Sequence, residues 1–195
     1  MFKRVILVTG TPCVGKTSVA RLLTSKLGAL YINLTELATR ENLVSGKDEQ
    51  RNSIIVDESK MRRKIDEIVK SSDKDNVIID GHYAVNVTPK ELITHAFVLR
   101  RDPVELRAFM EKCGFSNRKL WENLAAEILD VCLVDALNVL GKDKVCELNV
   151  SGKSVEEIAE EIIEVLEKRK KCRVGIVDWI GKLESEGLLS EFLKI

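Results

Sequence analysis

The spacing of hydrophobic residues along the chain alternates between a pattern typical of buried strands and one typical of helices. The first apolar run, residues 5–9, is short and rich in β-branched residues, as expected for a buried parallel strand. After a short loop, apolar residues recur at helical spacing, and Gly28 closes that segment. The residues with helical spacing are Val19, Leu22, Leu23 and Leu27. The chain therefore begins with a predicted strand, loop and helix.

The same alternation continues to about residue 170. Further strands are predicted at residues 30–32, 76–80, 96–99 and 145–150. Helices are predicted at about residues 35–41, 57–69, 102–112, 117–140 and 154–170, and a polar loop at 42–53. This order predicts an α/β fold, with five parallel strands and helices on both faces. The functional site is expected at the carboxyl ends of strands one and four.

Capping residues indicate where several of these helices begin. Asp57 is a good N-cap, and Asp102 followed by proline has the composition of a helix start. Ser154 and Glu157 have the spacing of a capping box. These signals support the helix assignments independently of the hydrophobic spacing.

The loop between the first strand and the first helix carries a recognisable motif. Residues 10–17 read Gly-Thr-Pro-Cys-Val-Gly-Lys-Thr and match G-x-x-x-x-G-K-[ST], the phosphate-binding loop (P-loop) of nucleoside triphosphate enzymes. Glycine lets consecutive backbone N–H groups converge on phosphate oxygens at a helix N-terminus. The alternative, an ordinary glycine turn with a solvated lysine, is disfavoured because the motif follows a strand and opens a helix.

The residue types of the motif suggest a role for each. Lys16 is expected to reach the β- and γ-phosphates of ATP, and the Thr17 hydroxyl to contact Mg²⁺. The resulting prediction is a P-loop NTPase that binds ATP and Mg²⁺. The predicted nucleotide-binding residues of the loop are Gly10, Cys13, Gly15, Lys16, Thr17 and Ser18.

The strand at residues 76–80 ends in Asp80, followed by Gly81 and His82. In P-loop proteins an acidic residue at such a strand end meets the Mg²⁺ shell, so Asp80 is predicted as a metal ligand with Thr17. An aspartate here could also be a plain turn residue. His82 could orient water or a phosphate and titrate near neutrality, or it could be a hydrogen-bonded structural histidine. Lys16, Asp80 and His82 are the predicted catalytic residues.

Cations concentrate around a predicted helix–helix joint. They are Arg107, Lys112, Arg118 and Lys119. On an ordinary protein such a cluster is a solvated surface. Opposite a P-loop, a mobile cationic joint would neutralise the charge of a transferring phosphoryl group and exclude water on closure.

Composition limits the remaining possibilities. The chain has 195 residues, 45% hydrophobic and 32% charged, and no formal net charge, so no global field attracts nucleic acid or a membrane. No apolar run approaches a membrane span, and the first ten residues enter a strand rather than a signal peptide. Five widely spaced cysteines favour reduced thiols and a cytoplasmic location, with Cys132 and Cys146 as small core residues.

The residue types of the carboxyl-terminal part do not indicate a specific chemical role. Residues 169–173 form a basic run, which could be a cationic helix end or could touch RNA phosphate. The expected domain division is a P-loop domain at residues 1–170 and a helical appendage at residues 171–195.

Several short motifs, in their order and spacing, carry a family resemblance over about residues 4–168. They are residues 10–17, Tyr31-Ile-Asn33, Asp80-x-His82, Val98-Leu-Arg100, Gly114-Phe-Ser-x-x-Lys-Leu120 and Glu122-Asn-x-x-x-Glu127. Together they resemble the small atypical adenylate kinases, the isoenzyme six or coilin-interacting nuclear ATPase group. The stretch from Arg173 to Trp179 resembles archaeal members.

The resemblance implies a broad-specificity nucleoside monophosphate kinase that converts ATP and AMP to two ADP and has ATPase activity. It also implies a role in late maturation of the small ribosomal subunit, through ribosomal protein uS11. The monophosphate-binding region would be residues 33–56 and the lid residues 112–122. By this resemblance Cys113 would contact the nucleotide, and the acceptor would be bound by Asn33, Arg40, Arg107 and Arg118.

Three positions depart from the family pattern. Cys13 stands where the family has glycine, and a Cβ there costs energy if the backbone needs a positive φ. Cys113 stands where the family has a lid arginine, so Arg107, Lys112 or Arg118 would have to supply its charge. The monophosphate-side arginine falls on Thr39, with Arg40 one position along. These departures concern the kinase rate more than nucleotide binding.

Overall fold

A five-stranded parallel sheet forms the centre of the protein in a computed structural model that describes residues 3–48 and 53–193. The strands are β1 (Arg4–Thr9), β2 (Leu30–Asn33), β3 (Val44–Asp48), β4 (Ser53–Val56), β5 (Asn76–Asp80), β6 (Ile93–Arg100) and β7 (Val145–Asn149). The sheet has the order β2-β5-β1-β6-β7, and each neighbouring pair is parallel. The predicted α/β fold is thereby confirmed.

Helices cover both faces of this sheet. They are α1 (Lys16–Leu27), α2 (Leu34–Arg40), α3 (Glu58–Ser71), α4 (Ala84–Val87), α5 (Pro103–Lys112), α6 (Asn117–Ile128), α7 (Val131–Leu140), α8 (Val155–Leu166), α9 (Trp179–Ser185) and α10 (Leu189–Phe192). Side chains of β1 alternate between two cores, with Ile6 and Val8 against α1, α6 and α8, and Val5 and Leu7 against α3 and α7. This alternation is what a strand buried on both faces requires.

Three helix caps form where the sequence places them. The Asp57 carboxylate accepts the Lys60 N–H at 3.0 Å, and Asp102 caps a helix whose first residue is proline. Ser154 and Glu157 form a reciprocal capping box. These local hydrogen bonds satisfy N–H groups that the first helical turn leaves without partners.

Two segments differ from the sequence-based expectation. The predicted polar loop at residues 42–53 instead contains an antiparallel pair, β3 and β4, and its residues 49–52 lie outside the described residues. The single long helix predicted at residues 117–140 is two helices, α6 and α7. The break falls at Asp130, which has a left-handed backbone (φ 59°) and whose carboxylate is drawn into an ion pair with Arg100.

The strand assignments also need two corrections. His95, expected just before a strand, lies within β6 opposite Ile6, because β6 begins at Ile93. The strand that carries Asp80 is the third of the sheet strands along the chain, so the site lies at the ends of strands one and three rather than one and four. The register places Asp80 beside Val8 of β1, directly before the P-loop.

The structure contradicts the expectation that all five thiols are reduced. Cys146 of β7 forms a disulfide with Cys172, whereas Cys13, Cys113 and Cys132 are free. The pairing was not visible in the sequence because the two cysteines are 26 residues apart and come together only through the turn after α8.

The tail, residues 171–193, packs against the rest of the molecule. Trp179, Leu183 and Phe192 are buried in the same core as α1 and α6. No helix in the described ranges is long and apolar enough to cross a membrane.

Candidate functional site

The P-loop connects β1 to α1, as the sequence predicts. Gly10 (φ 134°) and Gly15 (φ 107°) both adopt backbone conformations that favour glycine. A Cβ on Gly10 would also lie 2.4 Å from the carbonyl oxygen of Leu99, so only glycine fits there. Gly15 directly precedes Lys16, the first residue of α1, so the loop opens onto a helix N-terminus where backbone N–H groups attract anions.

Lys16 is buried at the base of this loop. Its Nζ donates a hydrogen bond to the carbonyl oxygen of Thr11 at 2.8 Å. Burial lowers the pKa of Lys16, and the Asp80 carboxylate opposes part of this shift. The ammonium is therefore held inside the loop, close to the carboxylate predicted to be its catalytic partner.

Asp80 and Thr17 are brought together by the register of β1 and β5. The Thr17 hydroxyl donates to Asp80 Oδ2 at 2.7 Å. The same oxygen accepts hydrogen bonds from the Tyr31 hydroxyl and from Asn33 Nδ2, each at 2.9 Å. A hydroxyl and a carboxylate are hard oxygen ligands, so this pair has the chemistry that Mg²⁺ prefers.

His82 lies near Lys16 and Asp80, but it does not titrate near neutrality. Its crowded surroundings, the charge of Lys16 and the charge of Lys119 lower its pKa to about 4, and Asp80 opposes the shift. The ring still has solvent-exposed surface. In the free protein His82 is therefore neutral at pH 7, which corrects the expectation from the sequence.

Cys13 and Cys113 meet between the P-loop and the end of α5. Cys13 has a positive φ of 67°, a backbone conformation that favours the glycine found at this position in the family. Burial raises its pKa to about 12, with a further contribution from the Cys113 thiol that contacts it and an opposing one from Lys16. Cys113 is exposed. Both thiols line the same cavity as the P-loop.

That cavity has a volume of about 510 Å³. Six of the seven predicted nucleotide-binding residues line it, all except Gly10: Cys13, Gly15, Lys16, Thr17, Ser18 and Cys113. Arg101 and Phe109 also line it and were not predicted; the guanidinium lies 4.8 Å from the ring centroid. The Arg101 guanidinium also donates to the carbonyl oxygen of Val14 at 3.3 Å, so a buried cation supports the loop from below.

A second cavity, of about 220 Å³, is lined by β2, α2 and Ile68 of α3. Asn33 and Arg40, two of the predicted acceptor-binding residues, line it together with Tyr31 and Glu36. Arg40 is exposed and pairs with Glu41 at 3.2 Å. Asn33 caps α2 and donates to Asp80, so its amide already has partners.

The other two predicted acceptor-binding arginines do not line either cavity. Arg107 pairs with Glu111 at 3.1 Å and with Glu191 of α10 at 2.6 Å, and it stacks on the Trp121 ring. Arg118 is exposed and pairs with Glu122 at 2.7 Å. Lys119, another cation of the predicted lid, is close enough to His82 for its charge to lower the pKa of that histidine.

Sequence reasoning missed Glu127, which is almost fully buried (1% exposed). Its carboxylate accepts the Thr11 hydroxyl at 2.6 Å and Arg100 Nε at 2.9 Å. A signal was available, because Glu127 follows Leu124 by three positions and so interrupts the apolar face of α6. A carboxylate on that face is costly to bury unless it has partners.

A P-loop at the mouth of a parallel sheet, with a strand-end aspartate beside its threonine, defines the class: this is a P-loop NTPase fold. Solved structures share it, including shikimate kinase from Acinetobacter baumannii (TM-score 0.61, 14% identity, 87% of this chain and 96% of that chain). Another is thymidylate kinase from Candida albicans (TM-score 0.51, 14% identity, 86% and 92% covered).

Sequence comparison gives the family. A family model described as an AAA domain matches residues 6–130. A protein of Methanocaldococcus jannaschii named "Putative adenylate kinase" is 40% identical over 177 residues, 91% of this chain and 93% of its own. One of the same name from Pyrococcus furiosus is 35% identical over 179 residues, covering 90% and 91%. The chain belongs to the family of these archaeal proteins.

Proposed function

We propose that the protein is an ATP-dependent nucleoside monophosphate kinase, which converts ATP and AMP to two ADP and has ATPase activity. The observation that carries the proposal is the Thr17–Asp80 hydrogen bond (2.7 Å), beside the buried Lys16 in a P-loop. The family relatives, which bear the name adenylate kinase, support it.

The two cavities suggest where the substrates bind. ATP would occupy the larger one, with its phosphates on the P-loop amides and Lys16 and its base near Arg101 and Phe109. AMP would occupy the smaller one, lined by Asn33 and Arg40. Asp80 would then connect the two sites, since it accepts hydrogen bonds from Thr17, which lines the larger cavity, and from Asn33, which lines the smaller one.

Mg²⁺ fits the residues present. Thr17 and Asp80 would hold it, and when bound it neutralises charge on the phosphate oxygens. Tyr31 and Asn33 fix the orientation of the Asp80 carboxylate. His82, neutral at pH 7, would accept or donate a hydrogen bond rather than supply a charge.

The test is a coupled assay of ADP formation from ATP and AMP. We expect Lys16→Ala to lower the rate about 100-fold or more, because a preorganised cation at the phosphates is lost. Lys26→Ala is the matched control, since Lys26 is an exposed lysine at the other end of α1. Equal ADP formation by the wild type and Lys16→Ala would refute the proposed kinase activity.

A second candidate function is an assembly factor with negligible kinase activity, whose nucleotide state gates partner binding. It is favoured by the lid, where Cys113 replaces a cation and Arg107 and Arg118 are paired away from the cavities. The resemblance to adenylate kinase isoenzyme six would make ribosomal protein uS11 and the maturing small subunit the partners. A uS11 pull-down with and without ATP tests this, and no binding in either state eliminates it.

A third candidate is a kinase for another small metabolite, because nothing in the P-loop itself selects AMP. A screen of phosphate acceptors against the purified protein distinguishes it from the first proposal. Phosphorylation of a metabolite in preference to any nucleoside monophosphate would favour this candidate.

A further inference from the structure

The tail of the protein reaches the support of the P-loop through one side chain. Trp179, the first residue of α9, is buried (6% exposed), and its indole N–H donates to Glu127 Oε1 at 3.1 Å. The other oxygen of the same carboxylate accepts the hydroxyl of Thr11, inside the P-loop, at 2.6 Å. A single buried carboxylate therefore joins the tail to the loop.

Glu127 also holds the end of β6. Its Oε1 accepts Arg100 Nε at 2.9 Å and the backbone N–H of Arg101 at 3.1 Å. Arg101 in turn donates to the Val14 carbonyl oxygen, and Lys16 donates to that of Thr11. Both halves of the P-loop are thus fixed by groups that the Glu127 carboxylate positions.

The tail is itself firmly attached, so the indole has a defined position. The backbone N–H of Ile176 donates to Glu147 of β7 at 2.8 Å, and Lys182 pairs with Asp102. Further along, Glu191 pairs with Arg107 of α5 at 2.6 Å, and Phe192 is buried against Trp121. A donor held this way loses little freedom when its hydrogen bond forms.

We propose that Trp179 is a positioning residue for nucleotide binding: through the Glu127 carboxylate and its hydrogen bond to Thr11, it holds the P-loop in its phosphate-binding conformation. The inference rests on the proposed function, because it assumes that the P-loop binds a nucleotide. The physical reason is preorganisation, since backbone N–H groups that are already aligned bind phosphate without a further ordering cost. The tail thereby contributes to the affinity of a site that it does not line.

The first test is Trp179→Phe, which keeps an aromatic ring in the core and removes the N–H donor. We expect the Kd for Mg·ADP, measured by calorimetry, to rise about fivefold, equal to about 1 kcal/mol, from one lost bond to a charged group. The kcat should change less than twofold, which corresponds to less than about 0.4 kcal/mol, because Lys16 and Asp80 are unchanged. Ile180→Ala, an exposed neighbour in α9, is the matched control and should leave Kd unchanged.

A double-mutant cycle separates positioning from a general loss of stability. Thr11→Val preserves the shape of the side chain and removes its bond to Glu127. If Trp179 acts through Glu127, the double variant should bind Mg·ADP no more than about twofold more weakly than Thr11→Val alone. Effects on Kd that multiply, or a Trp179→Phe variant that lowers Tm with Kd unchanged, would overturn the inference.

The outcome also distinguishes this inference from the proposed function. Wild-type protein that gives no heat with Mg·ADP would overturn both. Wild-type protein that binds, together with a Trp179→Phe variant that binds equally well, would overturn only the role of Trp179. In that case the kinase proposal would stand.

Discussion

One oxygen of Asp80 receives three hydrogen bonds, from Thr17, Tyr31 and Asn33. This arrangement fixes the carboxylate before any substrate arrives, so its second oxygen has a defined direction. Asp80 could be predicted from its position at a strand end. Its two partners from β2 could not, because a sequence does not show which strand lies beside β5.

His82 makes the stability of the protein depend on pH. Its pKa is lowered to about 4 in the folded protein, against 6.5 for the ordinary side chain. Between these values the unfolded chain binds a proton that the folded protein does not, so stability falls as the pH decreases from about 6.5 to about 4. Because the ring is partly exposed and solvent screens it, we expect a contribution of about 1 kcal/mol or less.

Urea unfolding at about pH 7 and about pH 4.5 measures this contribution. The variant His82→Asn should lose less stability between the two conditions than the wild type does. Part of the dependence should remain in the variant, since the pKa of His95 is also lowered by burial. An identical pH dependence in both proteins would contradict the assignment.

Whether other features of single residues could be predicted depends on how far apart in the sequence the interacting residues are. The strain at Cys13 could be anticipated, because the need for a positive φ belongs to the loop itself, and the observed φ of 67° confirms it. A left-handed backbone costs a residue with a side chain about 1–2 kcal/mol. The position of Arg107 could not be anticipated, because its partner Glu191 is 84 residues away.

At the scale of elements, an ionic cluster joins β6, β7, α6 and the start of α7. Arg100, at the end of β6, is 1% exposed and pairs with Glu127, Glu147 and Asp130. Burial lowers the pKa of Arg100, but the carboxylates of Glu127 and Asp130 raise it by more, so the net shift is upward. The cluster fixes the ends of neighbouring elements beside the P-loop.

Replacing Arg100 by leucine should lower the free energy of unfolding by about 3–5 kcal/mol, because it leaves Glu127 and Glu147 buried without a cation. Urea unfolding at neutral pH measures the change. Arg118→Ala is the matched control, since it removes an exposed arginine–glutamate pair and should cost about 0.5 kcal/mol or less. A loss for Arg100→Leu as small as that of the control would contradict the role given to the cluster.

The elements themselves were predictable where their signals are local. Buried strands and capped helices follow from hydrophobic spacing and from residues such as Asp57 and Ser154. The break between α6 and α7 was missed because the apolar spacing continues through it. The break coincides with the ion pair between Asp130 and Arg100, a contact across 30 positions that spacing cannot reveal.

For the molecule as a whole, the alternation of strands and helices determines the architecture. Parallel neighbours need crossover connections, so a five-stranded parallel sheet with helices on both faces could be predicted, but the order of its strands could not. The tail lacks that periodicity. Its burial through Trp179, Leu183 and Phe192 depends on a core that exists only after the sheet has formed.

The disulfide between Cys146 and Cys172 should add to stability by restricting the unfolded chain. It closes a loop with a sequence separation of 26, for which loop entropy gives about 3 kcal/mol. We therefore expect Cys172→Ser to lower the free energy of unfolding by up to about 3 kcal/mol. Cys113→Ser, at an exposed free thiol, is the control and should have little effect.

Thiol titration of denatured, unreduced protein checks the pairing directly. Three reactive thiols are expected, from Cys13, Cys113 and Cys132. Titration of all five would show that the bond is absent under those conditions, and the stability difference should then vanish.

The environment of Lys16 in the ligand-free protein affects which ligands the P-loop should bind. Its ammonium donates one of its three N–H groups to the carbonyl oxygen of Thr11, which holds it inside the loop. A phosphate bound as proposed would accept from another of these N–H groups, without displacing that carbonyl. In the proposed nucleotide complex, the gain in free energy would come from placing a full negative charge beside an ammonium whose pKa burial lowers. Uncharged analogues of the same shape should therefore gain almost nothing from this lysine.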